Sequence, residues 1–363
     1  MKSQKNEIYF LYLCRQISYC MKILITGASG FIGSFIVEEA LKRGFDTWAA
    51  IRKSSSREWL QDERIHFIEL NLSSKAQLTE QLRGQNFDYV VHAAGVTKCL
   101  NKQDFMRINY EGTKNLVEAL LEMKMPLKRF IFVSSLSIFG AIREKQPYQE
   151  INEDDTPKPN TEYGRSKLAA EQYLKSLGER LPYIILRPTG VYGPREKDYF
   201  IMAKSIKQHL DFAVGYKRQD ITFVYVKDVV QAVFLALKVG EDIPPVMIEA
   251  ASPIGRTFFL SDGEVYQSAT FSNLIHEALG RPWWIRITAP VWVLRIVTFF
   301  GECIGRMTGR VTALNNDKYN ILKQRNWRCD IQPAIDELGY QPKYKLAEGV
   351  KMTIQWYKEH GWI

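Results

Sequence analysis

The stretch KILITGASGFIG, residues 22–33, restricts the fold more than any other part of the chain. A run of apolar residues meets glycines at Gly27, Gly30 and Gly33, and an amphipathic run follows over residues 35–42. That order reads as strand, tight turn, helix. Without side chains at the glycines, backbone can come close to a pyrophosphate resting on the helix N-terminus. The spacing is G-x-x-G-x-x-G rather than G-x-G-x-x-G, a variant of the dinucleotide fingerprint. A tight turn in any α/β protein would look much the same, and the residues that follow must decide.

The chain has 363 residues, 46% apolar and 25% charged, enough for one large α/β unit with a smaller lobe. Its net charge of +9 is spread along the sequence without a long basic cluster, which argues against a nucleic-acid partner. A basic balance suits a phosphate-bearing cofactor or an anionic surface. Cys14, Cys20, Cys99, Cys303 and Cys329 form no C-x-x-C pair, so neither a zinc site nor a disulfide framework is indicated, and no metal is expected. A reducing, cytoplasmic setting fits. Residues 8–20 are fairly apolar, but Arg15 interrupts them, they are too short to span a bilayer, and no cleavage site follows. We read residues 1–20 as an extension, either a loosely held tail or a stretch ahead of the true start at Met21, with a membrane-touching segment as the lesser alternative.

Strands are expected at 22–26, 46–51, 65–69, 89–93, 129–133, 183–187, 222–226, 246–250 and 257–260. Helices are expected at 32–43, 77–82, 104–123, 162–177, 200–208, 228–239, 272–279, 331–338 and 346–360. This alternation predicts an α/β fold, a Rossmann-type doubly wound parallel sheet with a smaller C-terminal α/β substrate lobe. The dinucleotide-binding core is expected over 21–190 and mostly the substrate lobe over 191–363, with segments near 222–250 returning to the core.

The end of the second strand bears on the cofactor. An acid at this point holds the ribose 2′-OH of NAD. Here Arg52 and Lys53 stand instead, with no carboxylate until Glu58. Two cations and several hydroxyls suit a 2′-phosphate, which predicts NADP(H) in preference to NAD(H); a solvated basic loop is the alternative. Asn71 can bond an adenine with Leu72 against the ring, or simply make a turn. Ala93, Ala94 and Gly95 are small enough to let a strand end approach a bound ring. His92 lies on the strand and reads as a packed core residue. Asn109 is a polar residue on a helix that can tie the neighbouring strand end. Ser134 and Ser135 close the fifth strand, where open α/β sheets bind ligands. Tyr163 and Lys167 lie one helical turn apart on one face. A nearby ammonium lowers the pKa of a phenol, so the pair suits acid/base work. Asp228 reads as a helix N-cap rather than a catalyst.

Residues 283–300, WWIRITAPVWVLRIVTFF, are broken by Arg286, Pro290 and Arg295. Two arginines near the middle disfavour a bilayer span. An amphipathic helix from Pro290 is expected, covering an apolar substrate, lining a homodimer contact, or lying peripherally on a membrane.

Taken together, GASGFIG, HAAG, VSS, YGRSK (Tyr163 to Lys167) and RPTGVYGP resemble an extended short-chain dehydrogenase/reductase from Met21 onward. The branch it resembles holds 3β-hydroxysteroid dehydrogenase-like and dihydroflavonol reductase-like enzymes beside the NAD(P)-dependent epimerase/dehydratases. The resemblance implies a cofactor turn at Gly27, Ser29, Gly30, Phe31, Ile32 and Gly33, and Tyr163 as acid/base with Lys167 as its partner. It also implies Ser135 on the substrate oxygen, Ser134 nearer the cofactor, Asn109 in support, Arg187 and Pro188 beside the nicotinamide, and Arg52 at the 2′-phosphate. Nucleotide-sugar epimerases of this kind carry an arginine two residues before the phenylalanine of F-x-x-V-x-D; here that position is Ile221, with Arg218 and Lys217 displaced. The reading is therefore hydride transfer between nicotinamide and a secondary alcohol or ketone, on a relatively apolar small-molecule substrate. Two alternatives stand beside it: a nucleotide-sugar epimerase with bound NAD, and a non-catalytic cofactor-binding protein.

Overall fold

The computed structural model describes residues 20–238, 255–281, 283–309 and 315–363. Strands β1 (Lys22–Thr26), β2 (Asp46–Ile51), β3 (His66–Glu69), β4 (Tyr89–His92), β5 (Arg129–Val133) and β6 (Tyr183–Pro188) are joined by helices. These are α1 (Phe31–Lys42), α2 (Lys75–Gln81), α3 (Gly112–Glu122) and α4 (Glu162–Ser176). The strand sequences explain the burial. KILIT, RFIFV and YIILRP are near-continuous apolar runs, as strands covered on both faces require. Alternate residues of β1 serve opposite layers. Ile23 and Ile25 pack with Phe35, Ile36 and Val37 of α1, while Leu24 packs with Leu116 and Leu120 of α3 and Leu174 of α4.

Strands β7 (Gly190–Tyr192), β8 (Leu210–Val214), β9 (Asp220–Ile221) and β10 (Phe223–Tyr225) follow, with α5 (Lys197–Lys207) between β7 and β8. Helix α6 (Val226–Lys238) then packs on α1, and β11 (Thr257–Leu260) pairs with β6 at the sheet edge. All seven strands of the main sheet run parallel, in the order β11-β6-β5-β4-β1-β2-β3. The chain reverses its winding between β1 and β4, so a crevice opens at their carboxyl ends.

An additional C-terminal α/β region follows: β12 (Tyr266–Gln267), α7 (Ser268–Leu279), β13 (Ile285–Ala289), α8 (Val291–Thr308), α9 (Asn316–Lys323), α10 (Gln332–Leu338) and α11 (Leu346–Glu359). Its own core joins Tyr192, Phe223, Phe271, Ile275, Val350 and Ile354. Three two-stranded pairs complete it: β7 with β10, β9 with β12, and β8 with β13.

Several expectations change in detail. The strand expected at 246–250 lies outside the described residues, as does the extension up to residue 19. The helix expected over 104–123 contains a π-helical turn, Met106–Glu111, ahead of α3. The strand expected at 222–226 is β10, and just ahead of it the short β9 pairs with a different partner. Asp228 does not cap α6, which already starts at Val226. Its buried carboxylate accepts from the backbone N–H groups of Lys343 and Tyr344 at 3.0 and 3.1 Å, tying the C-terminal segment to the sheet.

Beneath the crevice, Arg187 of β6 donates to Glu171 of α4 at 2.6 Å, with side chains 3% and 1% exposed. Removing one member of such a pair strands the other charge. Glu171→Ala is expected to cost about 3–5 kcal/mol in denaturant unfolding. The paired replacement Glu171→Leu with Arg187→Met is expected to recover most of that loss.

Candidate functional site

The β1–α1 turn leaves no space for side chains at two of its glycines. Gly27 has φ +70°, and a Cβ there would stand 2.7 Å from the Ala93 carbonyl. At Gly33 a Cβ would fall 2.1 Å from the Gly27 carbonyl oxygen. The turn, the end of β4 and the start of α1 are thus pressed together. Helix α1 has Gly30 as its N-cap, so no side chain caps it, and no acid stands in its first turn, leaving its N–H groups to an anion.

One cavity of about 1500 Å³ runs from this turn into the C-terminal region. Gly27, Ser29, Gly30, Phe31, Ile32 and Gly33 line its first part, with Arg52, Asn71 and Leu72 beyond them. Ala93, Ala94, Gly95, Ser134, Ser135, Tyr163, Lys167 and Pro188 line the middle. The Ser134 hydroxyl is buried there with no hydrogen-bond partner, a polar atom still open to a ligand. The cradle, the uncapped helix start and this hydroxyl fit a dinucleotide.

The central group is built from three elements. Thr161 caps α4 by accepting from Gly164 N–H at 2.9 Å, and that helix carries Tyr163 and Lys167. Ser135 ends β5, accepts from Ser137 N–H at 3.1 Å, and lines the cavity together with Tyr163. Asn109, on the π-helical turn, accepts from Val96 N–H at 2.8 Å and donates to Val96 carbonyl and Ser166 hydroxyl at 3.0 and 2.9 Å. It is buried and does not line the cavity; it holds the loop after β4 against α4.

The electrostatics differ from the simple sequence picture. Burial pushes the Tyr163 phenol up to about 12, and the nearby Ser135 hydroxyl offsets this only in part. The Lys167 ammonium donates to the Val133 carbonyl at 2.7 Å and lies 4.6 Å from the Phe132 ring centre, so it is held by the strand end rather than by the phenol. Burial pulls Lys167 down to about 8, with Glu171 opposing. His92 is fully enclosed, bridging Thr26 and Thr113 hydroxyls at 2.7 and 2.9 Å, and burial lowers it to about 3. It works as a neutral core bridge.

Other expected residues fall elsewhere. Arg187 is committed to Glu171 and does not line the cavity. The Asn71 side chain is occupied in a turn with Ser73 and donates to Gln77 at 2.6 Å. Arg218 pairs with Asp220 at 2.8 Å and does not line the cavity, nor does Lys217, whereas Ile221 does. Sequence reasoning missed the far end. Lys98 and Lys318 both face Asp198 across the cavity wall, the latter at 3.6 Å. Burial alone would raise Asp198, but these two ammonium groups hold it low. Asp317 was missed too. From the start of α9 its carboxylate accepts from Glu162 and Tyr163 N–H at 3.0 and 3.3 Å, adding a second acceptor at the start of α4. No local pattern signals a contact across 155 residues. Among the described residues no group of three or more His, Cys, Asp or Glu could hold a metal.

Comparison with known proteins gives the family context. The model of the NAD dependent epimerase/dehydratase family matches residues 23–248. A Bacillus subtilis protein described as an uncharacterized UDP-glucose epimerase, YtcB, is 31% identical, covering 92% of this chain and 97% of its own. The Thermotoga maritima UDP-glucose 4-epimerase, solved with UDP-glucose, has the same fold at TM-score 0.73 and 23% identity, covering 94% and 99%. The Bacillus cereus UDP-glucuronic acid 4-epimerase, solved with NAD, matches at TM-score 0.71 and 22% identity, also covering 94% and 99%.

These complexes overturn the expectation of NADP(H). The Bacillus cereus enzyme carries NAD in two structures, and so do three further solved neighbours of this fold. The geometry gives the physical reason. Arg52 and Lys53 sit on an exposed turn closed by Arg52 N–H donating to Ser55 at 3.0 Å. Among the described residues no partner orients either side chain, and Lys53 does not line the cavity. A basic pair on a solvated turn is not by itself a built phosphate site.

The Lys167 shift has a measurable consequence. Its folded value, about 8, lies below the ordinary 10.5, so between these pH values the unfolded chain binds the proton that the folded chain has lost. Stability therefore rises with pH across that window. Denaturant unfolding is expected to show a gain of about 2 kcal/mol between pH 8 and pH 10 in the ligand-free protein, relative to Lys167→Met.

Proposed function

Because the chain belongs to the NAD dependent epimerase/dehydratase family, we propose that it inverts a secondary carbinol of a nucleotide sugar, using a retained NAD. The observation that carries this reading is the Ser135–Tyr163–Lys167 group in the middle of a single cavity that begins at the glycine turn. The solved epimerases with UDP-sugars or NAD lend it support through shared fold.

Gly27, Gly30 and Gly33 would hold the pyrophosphate on the start of α1, with Ala93, Ala94 and Gly95 against the dinucleotide. Lys167 and Ser134 would bond its nicotinamide half. When bound, NAD supplies the hydride acceptor and donor. The chain's own chemistry is proton transfer. Ser135 orients the carbinol oxygen, and Tyr163 Oη takes its proton and later returns it, a general acid/base role. The Val133 carbonyl anchors Lys167 below the phenol. Asn109 ties the loop after β4 to α4. Inversion needs room for the sugar ring to present its other face, and a cavity of about 1500 Å³ allows that. Elimination of water needs a further acid/base next to Ser135. Leu136 stands there, so epimerisation is favoured over dehydration.

A second reading keeps the NAD and changes the substrate. Ile201, Met202, Ile206, Ile221, Phe271 and Val293 line the far end of the cavity, an apolar surface suited to an alcohol or ketone on a lipid-like body.

Ligands extracted from the purified protein and identified by mass spectrometry separate the two. NAD with turnover of added UDP-sugars supports epimerisation. NAD with a retained lipid-like carbinol, and no sugar turnover, replaces it with the second reading. In either case Tyr163→Phe is expected to lower turnover by about 10²–10⁴ while NAD stays bound.

A further inference from the structure

Helix α8 has two apolar faces, and only one is packed. Leu294 and Thr298 turn inward, and Val293, Leu294 and Val297 line the cavity. The other face presents Trp292, Ile296, Phe299, Phe300 and Met307 to solvent, with Phe299 63% and Met307 87% exposed. In a soluble helix of 18 residues the outward face is ordinarily charged. The neighbouring β8–β13 pair continues the surface with Phe212, Ile285 and Ile287, and Trp283 and Trp284 stand at its border. The two parts are joined physically: Tyr216, just after β8, donates to the Thr288 carbonyl at 3.0 Å, and Val291 packs against Gly215.

Charge gathers on the same segments. Residues 201–220 and 281–309 together hold eight lysines and arginines against three acids, a local surplus of five positive charges. Arg295 is exposed at the edge of the aromatic face. No helix among the described residues is long and apolar enough to cross a membrane. Apolar and aromatic side chains on one face, tryptophans at the border, an arginine at the rim and insufficient length to span are the features of a helix that lies in a lipid headgroup layer.

We propose that α8 and the β8–β13 pair form a docking surface for an anionic membrane. Charge favours this occupant over a second copy of the chain, because two such faces would bring like charges together. The apolar face favours it over nucleic acid, which pairs cations with stacking rings rather than with Ile and Met. The surface also continues into the cavity: Ile201, Phe212, Ile287 and Val297 both line it and are exposed, so the rim of the pocket lies on the docking face. This inference does not depend on which substrate the enzyme turns over.

Co-sedimentation of the full chain with vesicles tests it. Binding is expected to vesicles of equimolar phosphatidylcholine and phosphatidylglycerol, to weaken with salt, and to be far weaker on phosphatidylcholine alone. The combined substitution Trp292→Ser, Phe299→Ser, Phe300→Ser is expected to reduce partitioning roughly 100-fold. Arg295→Glu, which leaves the apolar face intact, is expected to weaken binding on the anionic vesicles only. Circular dichroism and the NAD-induced rise in melting temperature check that each variant is folded. Failure of the wild-type chain to bind either vesicle overturns the proposal. So does a dimer in analytical ultracentrifugation that the triple substitution dissociates, or equal lipid binding by wild type and both variants. Tight binding of single-stranded DNA that Arg295→Glu abolishes, without vesicle binding, overturns it in favour of nucleic acid.

Discussion

The structure depends on one place where backbone meets backbone with nothing between. Gly33 and Gly27 let α1 start almost on top of β1, and Gly27 lets that turn sit against the end of β4. Any Cβ at either position would push the helix off the strand. The consequence spreads outward. With the turn seated, the crevice at the β1/β4 reversal is narrow at its base, the first N–H groups of α1 face into it, and β4 can deliver Ala93 to Gly95 opposite them. Thr26 and Thr113 then trap His92 between β1 and α3, so the strand pair that forms the crevice floor cannot slide. Everything catalytic is placed relative to that floor.

Much of this was legible because it is local. The glycine turn, the serines closing β5 and the Tyr163/Lys167 spacing are short patterns whose geometry follows from strand and helix periods. The residues that line the middle of the cavity are therefore those the sequence pointed to. The misreadings share another property: they concern where a side chain spends its hydrogen bonds. Arg187 sits on the expected strand but turns down to Glu171. Asp228 has the composition of a cap and instead binds backbone more than a hundred residues away. Arg52 has the charge for a phosphate but stands on a turn open to solvent. Composition tells which bonds a residue can make, and only tertiary structure tells which one it makes.

The C-terminal region was the least readable for a related reason. Its strands are short, between two and five residues, and its pairings join segments distant in sequence. Period-2 patterns of that length carry little information. Yet this region supplies much of the apolar end of the cavity, Lys318 of the Lys98–Asp198–Lys318 group and the outward face of α8. The part of the protein that lines the far end of the cavity is the part whose form is set by packing rather than by local signal.

The carboxylate of Asp317 at the start of α4 bears on the order in which the molecule can be made. A chain emerging from the ribosome has β1 to β6 and α4 long before residue 317 appears. During that interval the first turn of α4, which carries Tyr163, has Thr161 as its acceptor and lacks the second one. Strand β11 also arrives late, so the outer edge of β6 remains an open template for pairing in the meantime. The nascent N-terminal half is thus a sheet with a bare edge and a half-capped catalytic helix. Strand β11 closes the edge and Asp317 adds the second acceptor, so this part of the fold is finished only by segments made well after Tyr163.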